Sequence, residues 1–105
     1  MKILFAGTPE NAAQSLEALI RSGIEVVGVL TRPDAPFGRK RILAASPVAT
    51  VADRHSIHVI KSNKVDAATI AKIKELSADL GVVVAYGSLF DSSALESLPL
   101  GWVNL

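Results

Sequence analysis

Short apolar runs alternate with segments of helical periodicity along the chain. Residues 2–6, 25–31, 57–60 and 80–85 are rich in aliphatic side chains, and residues 101–105 begin a similar run. Runs of this length between turn-forming residues are typical of β-strands. The run at 80–85 is continuously apolar, which is the pattern of a strand buried on both faces of a sheet. The chain is therefore predicted to contain five strands.

Between the strands, apolar residues recur at helical spacing. The pattern predicts four helices, at residues 9–22, 47–55, 66–77 and 91–98. Thr8, Ser46 and Asp91 are suited to N-caps, and the first two precede a proline, whose missing N–H costs nothing at the first helical position. Gly23 is suited to the C-terminal end of the first helix.

The alternation of strands and helices indicates the fold class. Parallel strands joined by right-handed helical crossovers have both faces of the sheet covered. The 105 residues suffice for one small domain, and they contain no repeat or linker. The chain stops inside an apparent strand. We therefore expect a three-layer α/β fold with a Rossmann-like, doubly wound parallel sheet that is incomplete at its carboxyl end.

Composition excludes several classes of protein. Half of the residues are hydrophobic, which excludes a disordered chain. The chain has no cysteine, so disulfides, thiolate metal sites and cysteine nucleophiles are excluded, and two histidines alone argue against a zinc site. No apolar run approaches the ~18 residues of a membrane-spanning helix, and the amino-terminal run is too short for a signal peptide. We therefore expect a cytoplasmic protein without a membrane partner.

Residues 32–46 carry the strongest signal outside the predicted core. They show no regular period and contain two prolines and a glycine, so we expect a long loop, which is usually functional or disordered. Four cations against one aspartate give the segment a local charge of +3, whereas the whole chain has +1. Arg39, Lys40 and Arg41 could neutralise phosphates, although three adjacent charges are more commonly a solvated run.

Ligands in open α/β sheets bind beyond the carboxyl ends of the strands. A dinucleotide site after the first strand requires G-x-G-x-x-G, but Gly7 is followed by Thr8, Pro9 and Glu10. Pro9 removes a phosphate-binding N–H, and Glu10 places a negative charge near the helix terminus. The sequence also contains neither a P-loop nor a G-x-S-x-G elbow. These features argue against a nicotinamide or flavin cofactor.

Two other strand ends carry groups of chemical interest. The Asn104 amide could donate to a developing oxyanion, but a strand-end asparagine more often bonds its own backbone. Tyr86 and Gly87 follow the most buried strand, and the glycine either lets a flat ligand approach the backbone or releases the chain from the sheet. His55 and His58 are expected to be structural, because no partner carboxylate lies at catalytic spacing.

Taken together, several motifs resemble the methionyl-tRNA formyltransferases. In that family's order and spacing the chain contains Phe5-Ala6-Gly7-Thr8-Pro9, Thr31-Arg32-Pro33-Asp34 leading to Gly38-Arg39, Ser46-Pro47-Val48, and Val82-Val83-Val84-Ala85-Tyr86-Gly87. The carboxyl-terminal Gly-Trp-Val-Asn resembles the approach to the family's N-x-H catalytic motif. The A-G-T-P turn and the basic loop distinguish this branch from the purine-pathway formyltransferases.

The resemblance implies transfer of a formyl group from 10-formyltetrahydrofolate, as co-substrate, to the methionine amino group of initiator methionyl-tRNA in translation initiation. It implies no metal, nicotinamide or flavin, and a monomer when intact. Asn104 matches the asparagine that stabilises the tetrahedral oxyanion. The histidine and aspartate that should follow are not in the chain. Residues 1–105 are thus expected to be the amino-terminal part of a catalytic domain, without a second domain and inactive alone.

The same resemblance assigns the binding residues. Arg39, Lys40 and Arg41 would enter the acceptor stem of the tRNA, with Arg39 carrying the most weight. The backbone near Tyr86, Gly87 and Leu89 would line the folate pocket. Two alternatives stay open: a non-catalytic module that binds folate or tRNA, and a formyltransferase that acts on another amine such as a nucleotide sugar. The tRNA-type loop argues against the second.

Overall fold

A computed structural model describes residues 1–87 and 90–105. Over this part of the chain, the strands and helices are β1 (Lys2–Gly7), α1 (Glu10–Arg21), β2 (Glu25–Thr31), β3 (Ala35–Phe37), β4 (Ile42–Ala44), α2 (Pro47–Arg54), β5 (His58–Lys61), α3 (Ala67–Glu75), β6 (Leu80–Val84), α4 (Ser92–Leu95) and β7 (Trp102–Asn104).

Five strands form one parallel sheet in the order β5-β2-β1-β6-β7. The chain builds outward from β1 through β2 to β5, then returns to the other side of β1 for β6 and β7. This reversal makes β1 and β6 the topological switch point, beyond whose carboxyl ends open α/β sheets bind ligands. The predicted α/β fold with a doubly wound parallel sheet is confirmed.

Both faces of the sheet are covered by helices, because successive strand residues point to opposite faces. Phe5 packs with Leu16 of α1 and Val48 of α2 on one face. Its neighbour Leu4 packs with Ile73 of α3 on the other face, in the cluster that also contains α4. All of these side chains are fully buried. The continuous apolar character of the central strands follows from this two-sided burial.

Local capping signals are mostly confirmed, with one exception. Ser46 Oγ accepts a hydrogen bond from the backbone N–H of Ala49 at 3.0 Å and caps α2. Gly23 follows α1 in the left-handed region, with φ of 85°. The prediction for the start of α1 was wrong: Pro9, in extended backbone, occupies the N-cap position, and Thr8 does not cap the helix. The Thr8 hydroxyl bonds elsewhere, as described below.

The segment predicted to be an irregular loop contains a β-hairpin. Strands β3 and β4 pair antiparallel, with Phe37 opposite Ile42. Gly38 and Arg41 both have positive φ, 76° and 55°, and they close the turn between the strands. The sequence did not reveal the hairpin because strands of three residues are too short to show an alternating pattern. A 2.8 Å ion pair between Asp34 and Lys61 attaches its base to β5.

Candidate active-site crevice

The Thr8 hydroxyl joins the carboxyl ends of three strands. It lies directly after β1, donates to the backbone oxygen of Tyr86 at 3.4 Å, and accepts from the backbone N–H of Arg32 at 3.4 Å. Tyr86 follows β6 and Arg32 follows β2. The three strand ends therefore meet at the switch point, and Thr8 is part of its floor rather than a helix cap.

The chain leaves the sheet at the switch point through a left-handed turn. Strand β6 ends at Val84, one residue earlier than predicted, and Ala85 has φ of 51°. A non-glycine residue in this region is strained, and such strain concentrates at functional sites. Gly87 has φ of 94°, and no atom of residues 1–85 or 90–105 lies within 4 Å of where its Cβ would stand. Gly87 is thus required by the backbone conformation of the turn rather than by crowding from those residues.

The Tyr86 side chain is buried and belongs to the framework of the crevice. Its phenol donates a hydrogen bond to the backbone oxygen of Ser62. Burial, together with the negative charge of Asp66, raises the pKa of the Tyr86 phenol to about 12. The phenol therefore remains a protonated donor at neutral pH. Of the predicted folate-pocket residues, Tyr86 and Gly87 present backbone at this edge, and Leu89 lies outside the described residues.

Asn104 ends strand β7 at the same edge of the sheet. It is exposed, and its backbone is in register with Val83. Trp102, two residues earlier, lies over Gly81 of β6. The Trp102 indole N–H donates to the backbone oxygen of Ala94 at 3.0 Å. These contacts position β7 beside β6, so that roughly 10 Å separates the ends of β1 and β7, given the usual strand spacing.

The predicted tRNA-binding cations lie at the tip of the hairpin. Arg39, Lys40 and Arg41 are exposed residues of the turn between β3 and β4. Among the ion pairs of the described chain, none includes any of the three. Their charges thus face solvent, where a polyanion has access to them.

A cleft of about 800 Å³ lies between α1, α2 and the hairpin. Its walls include Thr8 and Arg32 from the switch point and Phe37 from β3. Sequence reasoning did not assign Phe37 a role. No local signal distinguishes it from a core aromatic, because only the packing of the hairpin leaves it exposed.

His55, which the sequence predicts to be structural, contacts a carboxylate that does not lie at catalytic spacing in the sequence. Its Nε2 lies 2.7 Å from Oε2 of Glu17. The other oxygen of the same carboxylate, Oε1, lies 3.4 Å from the Arg54 guanidinium. Glu17 is 38 residues away in sequence, so spacing along the chain could not reveal the contact. The cluster joins α1 to α2.

Residues 1–87 and 90–105 contain no group of three or more metal-ligating side chains, and no helix there is long and apolar enough to span a membrane.

Comparison with known proteins identifies the family. The family model described as Formyl transferase matches residues 1–105. The chain is 50% identical over 105 residues to the methionyl-tRNA formyltransferase of Renibacterium salmoninarum and 51% identical to that of an Arthrobacter species, and in each case the whole chain aligns with 34% of the relative. The methionyl-tRNA formyltransferase of Symbiobacterium thermophilum is 49% identical over 106 residues, 32% of its length. The chain spans about a third of the length of these curated relatives. The match over all its residues confirms the resemblance seen in the motifs, and the chain belongs to the formyl transferase family.

Proposed function

We propose that this chain is part of an enzyme that transfers a formyl group from 10-formyltetrahydrofolate to the amino group of methionine on initiator methionyl-tRNA, in translation initiation. The observation that carries the proposal is the identity of about half of all residues with proteins named methionyl-tRNA formyltransferase. The parallel sheet with a crevice at its switch point supports it. The enzyme uses no metal, nicotinamide or flavin, and it acts in the cytoplasm as a monomer.

The reaction requires a stabilised oxyanion. The methionine nitrogen attacks the formyl carbon, and the formyl oxygen takes up the negative charge of a tetrahedral intermediate. The bond from the formyl carbon to the folate nitrogen then breaks, and a proton passes from the amine to the departing nitrogen. We assign the stabilising donor to the Asn104 amide, since preorganised donors of this kind lower such barriers strongly. The histidine and aspartate that complete the family's motif are not in this chain, so residues 1–105 alone are inactive.

The folate pocket lies at the turn after β6. Tyr86 and Gly87 line it through their backbone groups. The buried, hydrogen-bonded Tyr86 side chain and the bond from Thr8 to the Tyr86 carbonyl hold this backbone rigidly. A rigid backbone edge suits a flat pterin, because its amide groups are already oriented for hydrogen bonds.

The tRNA is bound by the hairpin tip. Arg39, Lys40 and Arg41 contribute three positive charges at an exposed turn, which suits phosphate contacts with strong salt dependence. The Phe37 side chain of the hairpin lines the cleft, whose walls also include Thr8 and Arg32 of the switch point. An acceptor stem at the hairpin tip therefore lies next to the crevice.

The test is to isolate the native protein from its source cells with an antibody raised to this chain, measure its mass and assay formyl transfer. We expect a species several times heavier than 11.0 kDa that formylates initiator methionyl-tRNA, whereas the 105-residue chain shows no turnover. A nucleotide-sugar amine serves as the control acceptor. Transfer to that amine and not to tRNA would overturn the substrate assignment, and a native mass near 11.0 kDa would leave only a binding module.

A further inference from the structure

Thr8 connects the base of the hairpin to the turn after β6. Its hydroxyl accepts from the backbone N–H of Arg32, where the chain enters the hairpin, at 3.4 Å. Its backbone oxygen accepts from the N–H of Val48, in the first turn of α2 after the chain has left the hairpin, also at 3.4 Å. The same hydroxyl donates to the backbone oxygen of Tyr86 at 3.4 Å. One residue therefore holds both ends of the hairpin and the turn after β6.

The two ends of the hairpin are also fixed to each other. The hydroxyls of Thr31 and Ser46 lie 2.6 Å apart, and both residues are fully buried. The ion pair of Asp34 and Lys61 attaches the entering strand to β5. Because the base is held at these points, a displacement at the base also displaces the tip.

The turn after β6 depends on its contacts for its conformation. Ala85 and Gly87, on either side of Tyr86, both have positive φ, 51° and 94°. Strained backbone of the kind seen at Ala85 persists only where the surrounding structure over-determines it. The Tyr86 phenol fixes the turn by donating to the Ser62 backbone oxygen, and the Thr8 hydroxyl fixes it at the Tyr86 carbonyl. The Thr8 hydroxyl therefore sets the position of this turn relative to the hairpin.

The chemistry of the contact requires a hydroxyl. A hydroxyl donates one hydrogen bond and can also accept, so it pairs with a carbonyl and an N–H at the same time. Valine has nearly the shape of threonine but can do neither. It would leave the Tyr86 carbonyl and the Arg32 N–H without this partner, which is unfavourable for partly buried backbone groups. The strand ends would then move apart to hydrate these groups.

We propose that Thr8 is a positioning residue that aligns the two substrates, the tRNA on the hairpin and the folate at the turn after β6. The inference rests on the proposed function, which assigns the tRNA to one element and the formyl donor to the other. Attack on the formyl carbon requires the reacting atoms to lie about 3–3.5 Å apart, and a misplacement of about 1 Å lowers the rate by about 100-fold. Thr8 acts on this distance through Arg32 and Tyr86, without touching either substrate.

The experiment measures the steady-state kinetics of the native enzyme, with each substrate varied in turn. We expect Thr8→Val to lower kcat by about 10-fold to 100-fold, with the KM of each substrate changed by less than about 2-fold. Thr8→Ser keeps the hydroxyl and should retain kcat. Thr50→Val is the matched control, because it removes the same hydroxyl from the wall of the same cleft. The Thr50 hydroxyl donates to the Ser46 backbone oxygen at 3.1 Å, within the first turn of α2, so kcat should not change.

Melting curves followed by circular dichroism identify the variants that fold. Should Thr8→Val not fold, Thr8→Ala takes its place, because alanine leaves room for a water that hydrogen-bonds both backbone groups. A water holds the two groups less firmly than a covalently attached hydroxyl does. The kcat of Thr8→Ala should therefore also fall at unchanged KM, and an unchanged kcat would overturn the proposal.

The possible failures are distinguishable. If the native enzyme does not formylate methionyl-tRNA, the proposed function fails and the inference fails with it. If the native enzyme transfers the formyl group and folded Thr8→Val has the same kcat, only the inference fails. A higher KM for one substrate at unchanged kcat would make Thr8 a substrate contact and would overturn its positioning role. Equal losses of kcat in Thr8→Val and Thr50→Val would also overturn it.

Discussion

Replacing Gly81 with alanine tests how strand β7 is held against β6. Gly81 is paired in register with Trp102, and a Cβ at position 81 would overlap the Trp102 ring. Gly81 is not among the glycines with positive φ, so alanine meets no backbone strain there. The substitution therefore perturbs only the space that the indole occupies.

The expected decrease in unfolding free energy follows from the contacts that the Trp102 ring loses when it moves. Relieving the overlap requires a ring movement on the order of 1 Å, to restore ordinary carbon–carbon separations. The movement weakens the 3.0 Å hydrogen bond to Ala94, worth about 1 kcal/mol, and the edge contact with Phe90, whose centroid lies 4.7 Å away, worth about 1 kcal/mol. Overpacking adds about 1–3 kcal/mol. Because the three effects are not additive, Gly81→Ala should cost about 2–4 kcal/mol of unfolding free energy.

The assay is a double-mutant cycle by urea denaturation, followed by the fluorescence of Trp102, the only tryptophan in the chain, and by circular dichroism. In the Trp102→Ala background, followed by circular dichroism alone, Gly81→Ala should stabilise slightly, by about 0.5 kcal/mol, because alanine restricts the unfolded chain. A coupling free energy near the full 2–4 kcal/mol is expected. Coupling below about 0.5 kcal/mol would refute the view that the indole occupies the space above Gly81.

Three other predictions concern the crevice and the hairpin. The phenol of Tyr86 has a pKa of about 12 in the folded protein and about 10 when unfolded. The protonated phenol therefore contributes its full stabilisation of the fold below pH 10, and this contribution is lost as the pH rises towards 12. Tyr86→Phe should remove this alkaline loss of stability in urea titrations between about pH 10 and pH 12. At neutral pH it should lower the free energy of unfolding by about 1 kcal/mol, because the hydrogen bond to Ser62 is lost. An unchanged alkaline stability profile would contradict this assignment. In the native enzyme, Asn104→Ala should lower kcat for formyl transfer by about 100-fold or more with little change in KM, and a purely structural role would instead lower the melting temperature. Arg39→Ala with Arg41→Ala should reduce the salt slope of tRNA binding by about two, and an unchanged slope would remove the tRNA assignment of the turn.

The elements whose signals are local could be predicted from the sequence. Five apolar runs became the five strands of the sheet, because burial between two helical layers leaves a continuous apolar pattern. Ser46 and Asp91 were recognised as N-caps from their residue types before predicted helices. In the structure, each side chain accepts a hydrogen bond from the backbone N–H three residues later. The motif at Tyr86 and Gly87, together with Asn104, also located one edge of the sheet as the candidate site. These features depend on residues close together in the chain.

Tertiary structure alone decided which of these residues meet. The Thr8 hydroxyl joins Tyr86, 78 residues away, because the chain returns to place β6 beside β1. The contact of Glu17 with His55 depends on the packing of α1 against α2, and the exposure of Phe37 depends on the fold of a hairpin too short to leave a pattern. Sequence periodicity reports which face of an element is buried, whereas strand order sets the neighbours across the sheet. The sequence by itself therefore determined the strands of the main sheet, its helices and the chemistry available at the strand ends, and the strand order assembled those ends into a crevice.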